Sequence, residues 1–318
     1  MDWELGKAKA QAAQRMETAT YNPRKLAGLY ICVAVGVALV LTVLNFLLGL
    51  RIEETGGLGG IGTRAVLSSV QVIAQYAGTL LMPFWELGFL FAAIGLARGD
   101  AVRPDSLLEG FRRFFPALRL MLLRLVIYLA LAVACLNVSS ILFIMTPLSN
   151  KLNSLLAPVM EQSGDMLQMM EQLPMSQLQE AILPAFLLFV VLFTVVMIPV
   201  LYRLRLAEFY LMDRPGTGAL AALLGSGRSM RKKCGKLFRL DLSFWWFYLL
   251  QALVVLISYG DGLLALAGIT LPVSGEVGFF VCYGLYAAGQ ILLHTFFWGQ
   301  VQTTYALFYD QAAIKEPV

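Results

Sequence analysis

Charge is scarce in this 318-residue chain: Asp, Glu, Lys and Arg together make up 14% of it, against roughly a quarter in soluble domains. An ordinary soluble enzyme or a disordered, charge-solvated chain is excluded on that ground. Histidine occurs once, at His294, and the four cysteines form no CxxC pair. A zinc or iron–sulfur centre needs several such ligands together, and a disulfide framework needs denser cysteine. Neither is expected, and no cofactor motif is present. Cys32, Cys135 and Cys282 lie in apolar runs, where a free thiol behaves as a small hydrophobe; Cys234 stands in a basic loop. What fills the chain instead is apolar: 59% hydrophobic residues and a mean hydropathy of +0.74. Several uncharged stretches exceed the roughly 18 residues that cross a bilayer core. The chain therefore reads as an all-α, polytopic membrane protein.

Six spans can be traced, at about 26–50, 66–97, 120–147, 182–206, 242–266 and 277–308. Each must satisfy its own backbone in lipid, which makes each a helix. The first, uncharged from Leu26 to Leu50, is longer than the roughly 7–15 residues of a cleavable signal core and reads as a retained anchor. The second, fourth and sixth exceed the hydrocarbon thickness and should tilt or project. Of the 24 Lys and Arg, 21 fall on one side of this arrangement; only Arg51, Arg64 and Lys151 fall on the other. The positive-inside rule then places both termini in the cytoplasm.

The inward connections follow one plan. Asp100 and Arg103-Pro104 come after span two, Asp213 and Arg214-Pro215 after span four, and span six closes on Leu307-Phe308-Tyr309-Asp310, much as Tyr210-Leu211-Met212-Asp213 closes span four. With Asn22-Pro23-Arg24-Lys25 leading the first unit, three repeated units result, each a cytoplasmic helix followed by a helical hairpin. Within 103–119, Ser106 and Glu109 have capping-box spacing. Leu107, Leu108, Phe111, Phe114, Phe115 and Leu118 share a helical face, with Arg112 and Arg113 opposite. This pattern predicts an amphipathic helix lying flat among lipid headgroups. The glycine-interrupted 219–239 segment carries Arg228, Arg231, Lys232, Lys233 and Lys236. These seven cations are candidate ligands for anionic lipid phosphate at the cytoplasmic face, or simple topology anchors. Without an accompanying aromatic platform they do not suggest nucleic acid.

The run from Tyr202 to Asp213, Pro215 with its basic segment, Leu237 to Trp246, and the ending Thr303 to Tyr309 resemble a bacterial family of six-span integral membrane proteins. That family is widespread in Gram-positive species and is catalogued only as a domain of unknown function. The similarity is clearest over about 200–310. It implies a six-span fold and a plasma-membrane location, and no activity, substrate or catalytic residue.

Glu86 follows Pro83 inside span two. An ionisable group in a span is expensive and by default suggests a site. Arg203, Arg205 and Glu208 at the end of span four, and Gln300 and Gln302 in span six, lie at comparable or shallower depth. Together they can line an inward-opening polar pocket, for substrate or proton, or form a salt bridge that locks the bundle. His294, a turn after Gln290, can join as a proton relay or pack as a neutral ring. The outer segment 149–181 holds five of the thirteen methionines between Met160 and Met175. It suits an interfacial cap or a docking surface better than a Cu(I) site. Gly57-x-Gly59-x-x-Gly62 follows a membrane helix rather than a strand, so it is no dinucleotide fingerprint. The expected function is a non-catalytic membrane component that binds lipid or a membrane-protein partner through its basic interfacial helices. The alternative is a secondary transporter or permeation protein with its site around Glu86, Arg203 and Arg205.

Overall fold

Among the described residues the apolar runs form helices. The computed structural model describes residues 5–54, 61–147, 149–150, 154, 175–259 and 276–313, and every regular element in them is helical. In chain order these are α1 (Leu5–Glu17), α2 (Pro23–Glu54), α3 (Ile61–Arg98), a 3₁₀ turn (Pro104–Leu108), α4 (Glu109–Arg112), α5 (Phe114–Ile144), α6 (Met175–Leu204) and α7 (Ala207–Asp213). There follow α8 (Ala219–Met230), α9 (Cys234–Ser243), α10 (Trp245–Ser258), α11 (Glu276–Leu293), a π-helical segment (His294–Trp298) and α12 (Gly299–Ala313). Most of the Met-rich segment, Gly57, Gly59, Lys151 and the last part of the span expected at 242–266 lie outside the described residues.

Five helical stretches are long and apolar enough to cross a membrane: Pro23–Ile52, Gly62–Arg98, Phe114–Ile144, Leu183–Asp213 and Phe280–Ala313. The span expected at 242–266 departs from this pattern. Its described part, 242–259, is α10 preceded by the last two residues of α9, the two helices being bent by 61° at Phe244, and among the described residues it makes a sixth span only as that bent pair. Helix α10 alone has 14 residues, roughly 21 Å at 1.5 Å per residue, short of a core about 30 Å thick. In every span but α3 most of the apolar side chains face outward. Inside the protein, 6% of the apolar window of α2 is buried, and 0% of that of Leu183–Asp213. Apolar surface of this extent marks contact with lipid or with another protein.

The chain divides into two compact units, residues 119–205 and the remainder. In the larger unit α3 has two characters. Val66, Val70, Ile73, Tyr76 and Leu80 are exposed, whereas Phe84, Leu87, Phe89, Leu90, Ala92, Ala93, Ile94, Leu96 and Ala97 are buried. The change falls at Pro83, whose missing N–H interrupts the ladder of backbone bonds. The core of this unit therefore sits at the end of α3 marked by Arg98, the basic end, where α3 packs against α12, α7, the 3₁₀ turn and α4. Nearly all of α12 from Val301 to Tyr309 is buried there. The smaller unit holds α5 beyond Leu118 and α6; within it Arg124 Nη2 donates to Leu204 O at 2.6 Å.

Two reversals build the basic end. Helix α3 stops in a Schellman motif: Asp100 N–H bonds Gly95 O at 2.9 Å and Gly99 N–H bonds Leu96 O at 3.2 Å, with Gly99 left-handed at φ +83°, the conformation this cap demands. Helix α7 stops in a turn, Thr217 N–H to Arg214 O at 3.1 Å, with Pro215 and Gly216 (φ +87°) in the two central positions of a type II turn. After each reversal the chain folds back onto the helix it has just left, the 3₁₀ turn and α4 onto α3, and α8 onto α7.

The flat amphipathic helix expected over 103–119 does not form as one piece. It breaks at Arg113 (φ −103°, ψ 33°), and residues from Phe114 onward belong to α5. Its apolar residues divide accordingly. Leu107 is buried against α3, and Phe114 stacks on Phe84 with centroids 4.5 Å apart, while Leu108 and Phe115 stay exposed. The capping box is absent too: Ser106 Oγ donates to Arg103 O, and Glu109 takes Arg112 at 2.5 Å. Backbone packing decides the matter. A Cβ at Gly88 would stand 1.8 Å from Leu107 O, and one at Gly110 1.8 Å from Phe84 O. The two segments thus touch main chain to main chain, closer than a flat surface helix allows.

Candidate functional site

At the basic end three helix termini meet on one side chain. Arg98, the last residue of α3, places Nη1 2.5 Å from Asp213 Oδ1 and Nη2 2.6 Å from Asp310 Oδ1. Its Nε lies 3.2 and 3.3 Å from the Asp310 oxygens. Asp213 ends α7 and Asp310 sits in the last turn of α12, positions where the helix dipole disfavours an anion. Their carboxylates are 15% and 19% exposed, against 38% for Arg98. Tyr309 OH donates to the second oxygen of Asp213 at 2.7 Å, and Tyr309 itself is buried against Phe209 and Tyr210. The two aspartates that close spans four and six are thus legible in the sequence as a repeat. Their common partner is the basic residue closing span two. Beside them α3, the Asp100–Arg103 loop and α4 enclose a cleft of about 450 Å³ lined by Asp100, Arg103, Asp105, Glu109 and Asp213.

Other cations serve helix C-termini, whose last carbonyls lack intrahelical partners. Arg113 Nη1 donates to Met212 O at 2.7 Å and Leu211 O at 3.0 Å, at the end of α7. Lys233 Nζ donates to Ala312 O at 2.9 Å, at the end of α12. Lys9 Nζ donates to Ser243 O at 2.7 Å, at the end of α9, and lies 4.0 Å from the Phe244 ring centroid. Burial pushes the Lys9 ammonium below its ordinary pKa. Arg113 and Lys233 thus have intramolecular work besides any contact with lipid. Replacing Arg113 by Gln removes two charge-assisted bonds and should lower stability by about 1–2 kcal/mol, read as a lower Tm in detergent.

The expected lipid-phosphate residues separate into two groups. Arg112 is exposed and paired with Glu109, and Arg113 turns inward. Arg228, Arg231, Lys232 and Lys236 are exposed around the α8–α9 junction, with Arg239 exposed a turn beyond. Facing outward on α9 and the start of α10 are Phe238, Leu242 and Trp245, 54%, 59% and 60% exposed, while Leu237, Leu240 and Phe244 on the other side are buried. Cys234 Sγ donates to Met230 O at 3.1 Å in the same junction.

The expected polar-pocket residues belong to several elements and to both units. Glu86 is exposed on α3, within electrostatic reach of the Tyr30 hydroxyl, and the neighbouring Trp85 Nε1 donates to Tyr30 O at 2.9 Å. Glu208 lies in the first turn of α7, favourable to an acid. Arg203 is exposed in the last turn of α6 and Arg205 half-buried just beyond; both belong to the 119–205 unit. His294 opens the π segment, its Nδ1 donating to Gln290 O at 3.0 Å, and its ring lies 5.2 Å from that of Trp298. Gln302 is half-buried on α12. Gln300 lines a cavity of about 530 Å³ bounded by the end of α1, the start of α2 and Phe296.

A further polar set is uncharged and stands within the apolar runs. Thr42 and Asn45 on α2 and Gln71 and Gln75 on α3 line a third cavity, of about 670 Å³. Gln251 Nε2 donates to the buried Gln290 Oε1 at 3.0 Å. The signal was available as i,i+3 and i,i+4 spacing of amides and hydroxyls inside apolar runs, which places them on one helix face. Uncharged, these residues leave hydropathy and the charge count nearly untouched.

The chain belongs to DUF975, a family of proteins of unknown function, whose model matches residues 17–316. No curated protein and no solved structure matches it.

Proposed function

We propose that the protein is a non-catalytic component of a bacterial plasma membrane, with its termini and basic end in the cytoplasm, that binds anionic lipid headgroups through the α8–α9 elbow. The observation that carries this is the outward stripe of Phe238, Leu242 and Trp245 beside the exposed Lys236 and Arg239, on a helix bent 61° from its successor. If α10 follows the membrane normal, α9 lies nearer the membrane plane. An interfacial helix needs that inclination and that pairing of buried apolar face with cations. Arg228, Arg231 and Lys232 extend the positive surface, each cation contributing about 1 kcal/mol beside anionic lipid. Permeation through a site around Glu86, Arg203 and Arg205 is less well supported, because Arg98 fastens the ends of α3, α7 and α12 together.

The test is native mass spectrometry of protein extracted from bilayers of phosphatidylglycerol and phosphatidylcholine in equal parts. Changing Arg228, Arg231, Lys232 and Lys236 together to Gln should reduce retained phosphatidylglycerol at least about tenfold, given about 1 kcal/mol per cation. Unchanged retention refutes the binding claim. Orientation has its own reporter in Cys234: a membrane-impermeant maleimide should label it only after cells are permeabilised, and labelling in intact cells overturns the assignment.

A further inference from the structure

The cavity at the junction of α1, α2 and the π segment shows a composition the elbow lacks. About 530 Å³ in volume, it is lined by Glu17 at the end of α1, Thr20 and Asn22 in the linker, Arg24 at the start of α2, and Phe296 and Gln300. Glu17 and Arg24 are both exposed, and no ion pair joins them to each other or to another described residue. Two opposite charges thus face one cavity without neutralising each other. Beyond Arg24 and Lys25 the first span is uncharged from Leu26 to Leu50, so the cavity stands one turn outside the hydrocarbon, at headgroup depth. Phe296, half exposed, lies 5.8 Å from the Arg24 guanidinium and continues the apolar surface to its edge. The π segment, a helical irregularity often found at functional positions, supplies this ring, and Gln300 adds an amide one turn later.

We infer that this cavity binds the zwitterionic headgroup of a phospholipid bearing a primary amine, a phosphoethanolamine group. Arg24 takes the phosphate, as guanidinium does readily. Glu17 accepts N–H bonds from the ammonium. Gln300 and Asn22 supply neutral hydrogen-bonding groups, and Phe296 meets the start of the acyl chains. A quaternary choline has no N–H to give Glu17, and a glycerol headgroup has no cation, so both bind less well. The inference rests on the membrane-lipid reading only in placing the cavity at the lipid headgroups; it does not use the elbow cations.

The experiment extracts full-length protein from bilayers holding equal parts of phosphatidylethanolamine, phosphatidylcholine and phosphatidylglycerol, and counts retained lipids by native mass spectrometry. Wild type should keep one phosphatidylethanolamine in clear excess over phosphatidylcholine. Glu17→Gln should bring phosphatidylethanolamine down to the phosphatidylcholine level, about tenfold, without changing phosphatidylglycerol. Arg24→Gln should lower retention of both zwitterionic lipids. The elbow variant with four Gln substitutions should keep the phosphatidylethanolamine, so the two readings fail separately. Equal retention of the two zwitterionic lipids by wild type, or phosphatidylethanolamine unmoved by Glu17→Gln and Arg24→Gln, overturns the inference. Soluble phosphoethanolamine binding as tightly as the lipid also overturns it, since the site then serves the free headgroup.

Discussion

Arg98→Ala should lower the Tm of the detergent-solubilised protein by about 5 °C. The substitution leaves two carboxylates, Asp213 and Asp310, largely buried, close together and without their shared cation. Breaking a buried pair destabilises by roughly 3–5 kcal/mol. Arg98 itself is 38% exposed, so water screens part of the interaction and about 2 kcal/mol remains, which gives the stated shift. The sign of the electrostatics can be isolated. Adding Asp213→Asn and Asp310→Asn to Arg98→Ala removes the like-charge repulsion, and the triple variant should melt above the single one. If the triple variant melts no higher, Arg98 acts through packing and the electrostatic account is wrong.

Gly88→Val should be at least as damaging, by about 3 kcal/mol, the upper part of the range for overpacked sites. The atom that a new Cβ meets is the carbonyl oxygen of Leu107, at 1.8 Å, and main chain cannot swing away as a side-chain tip can. The 3₁₀ turn and α4 must therefore leave α3, uncovering Leu107 and separating Phe84 from Phe114. Limited proteolysis is the direct measurement: cleavage at Arg103 or Arg112 should become fast in Gly88→Val and stay slow in Gly6→Ala, where nothing lies within 4 Å. Equal protection in both variants would show that this docking carries little energy.

The sequence makes the helical class legible because a span needs only one property, an uninterrupted apolar run, and α2, α3, α5 and α6 each have it. It is silent about the 61° elbow at Phe244, where the span expected at 242–266 begins. The bend at Phe244 rests on contacts remote in sequence, among them Lys9 on Ser243 O and Tyr305 OH on Asp241. It misleads over 103–119, because periodicity records which residues are apolar and not what covers them. There the covering partner is α3, and Gly88, silent in any hydropathy count, permits the approach. For the candidate sites, charge counting locates the cations but not their partners. Arg98 and Arg113 look alike along the chain, yet one joins two carboxylates and the other two carbonyls. Glu17 and Arg24 stand in a polar leader and gain meaning only once α12 passes beside them.

The two characters of α3 bear on how the protein meets bilayers of different depth. Before Pro83 the rod presents exposed apolar side chains; after it, the rod is largely enclosed by its own polypeptide. A thinner or thicker bilayer changes the surroundings of the first stretch alone, which can lean to compensate with Pro83 as the pivot. The enclosed stretch, with the clefts beside it, keeps its shape whatever the lipid chain length.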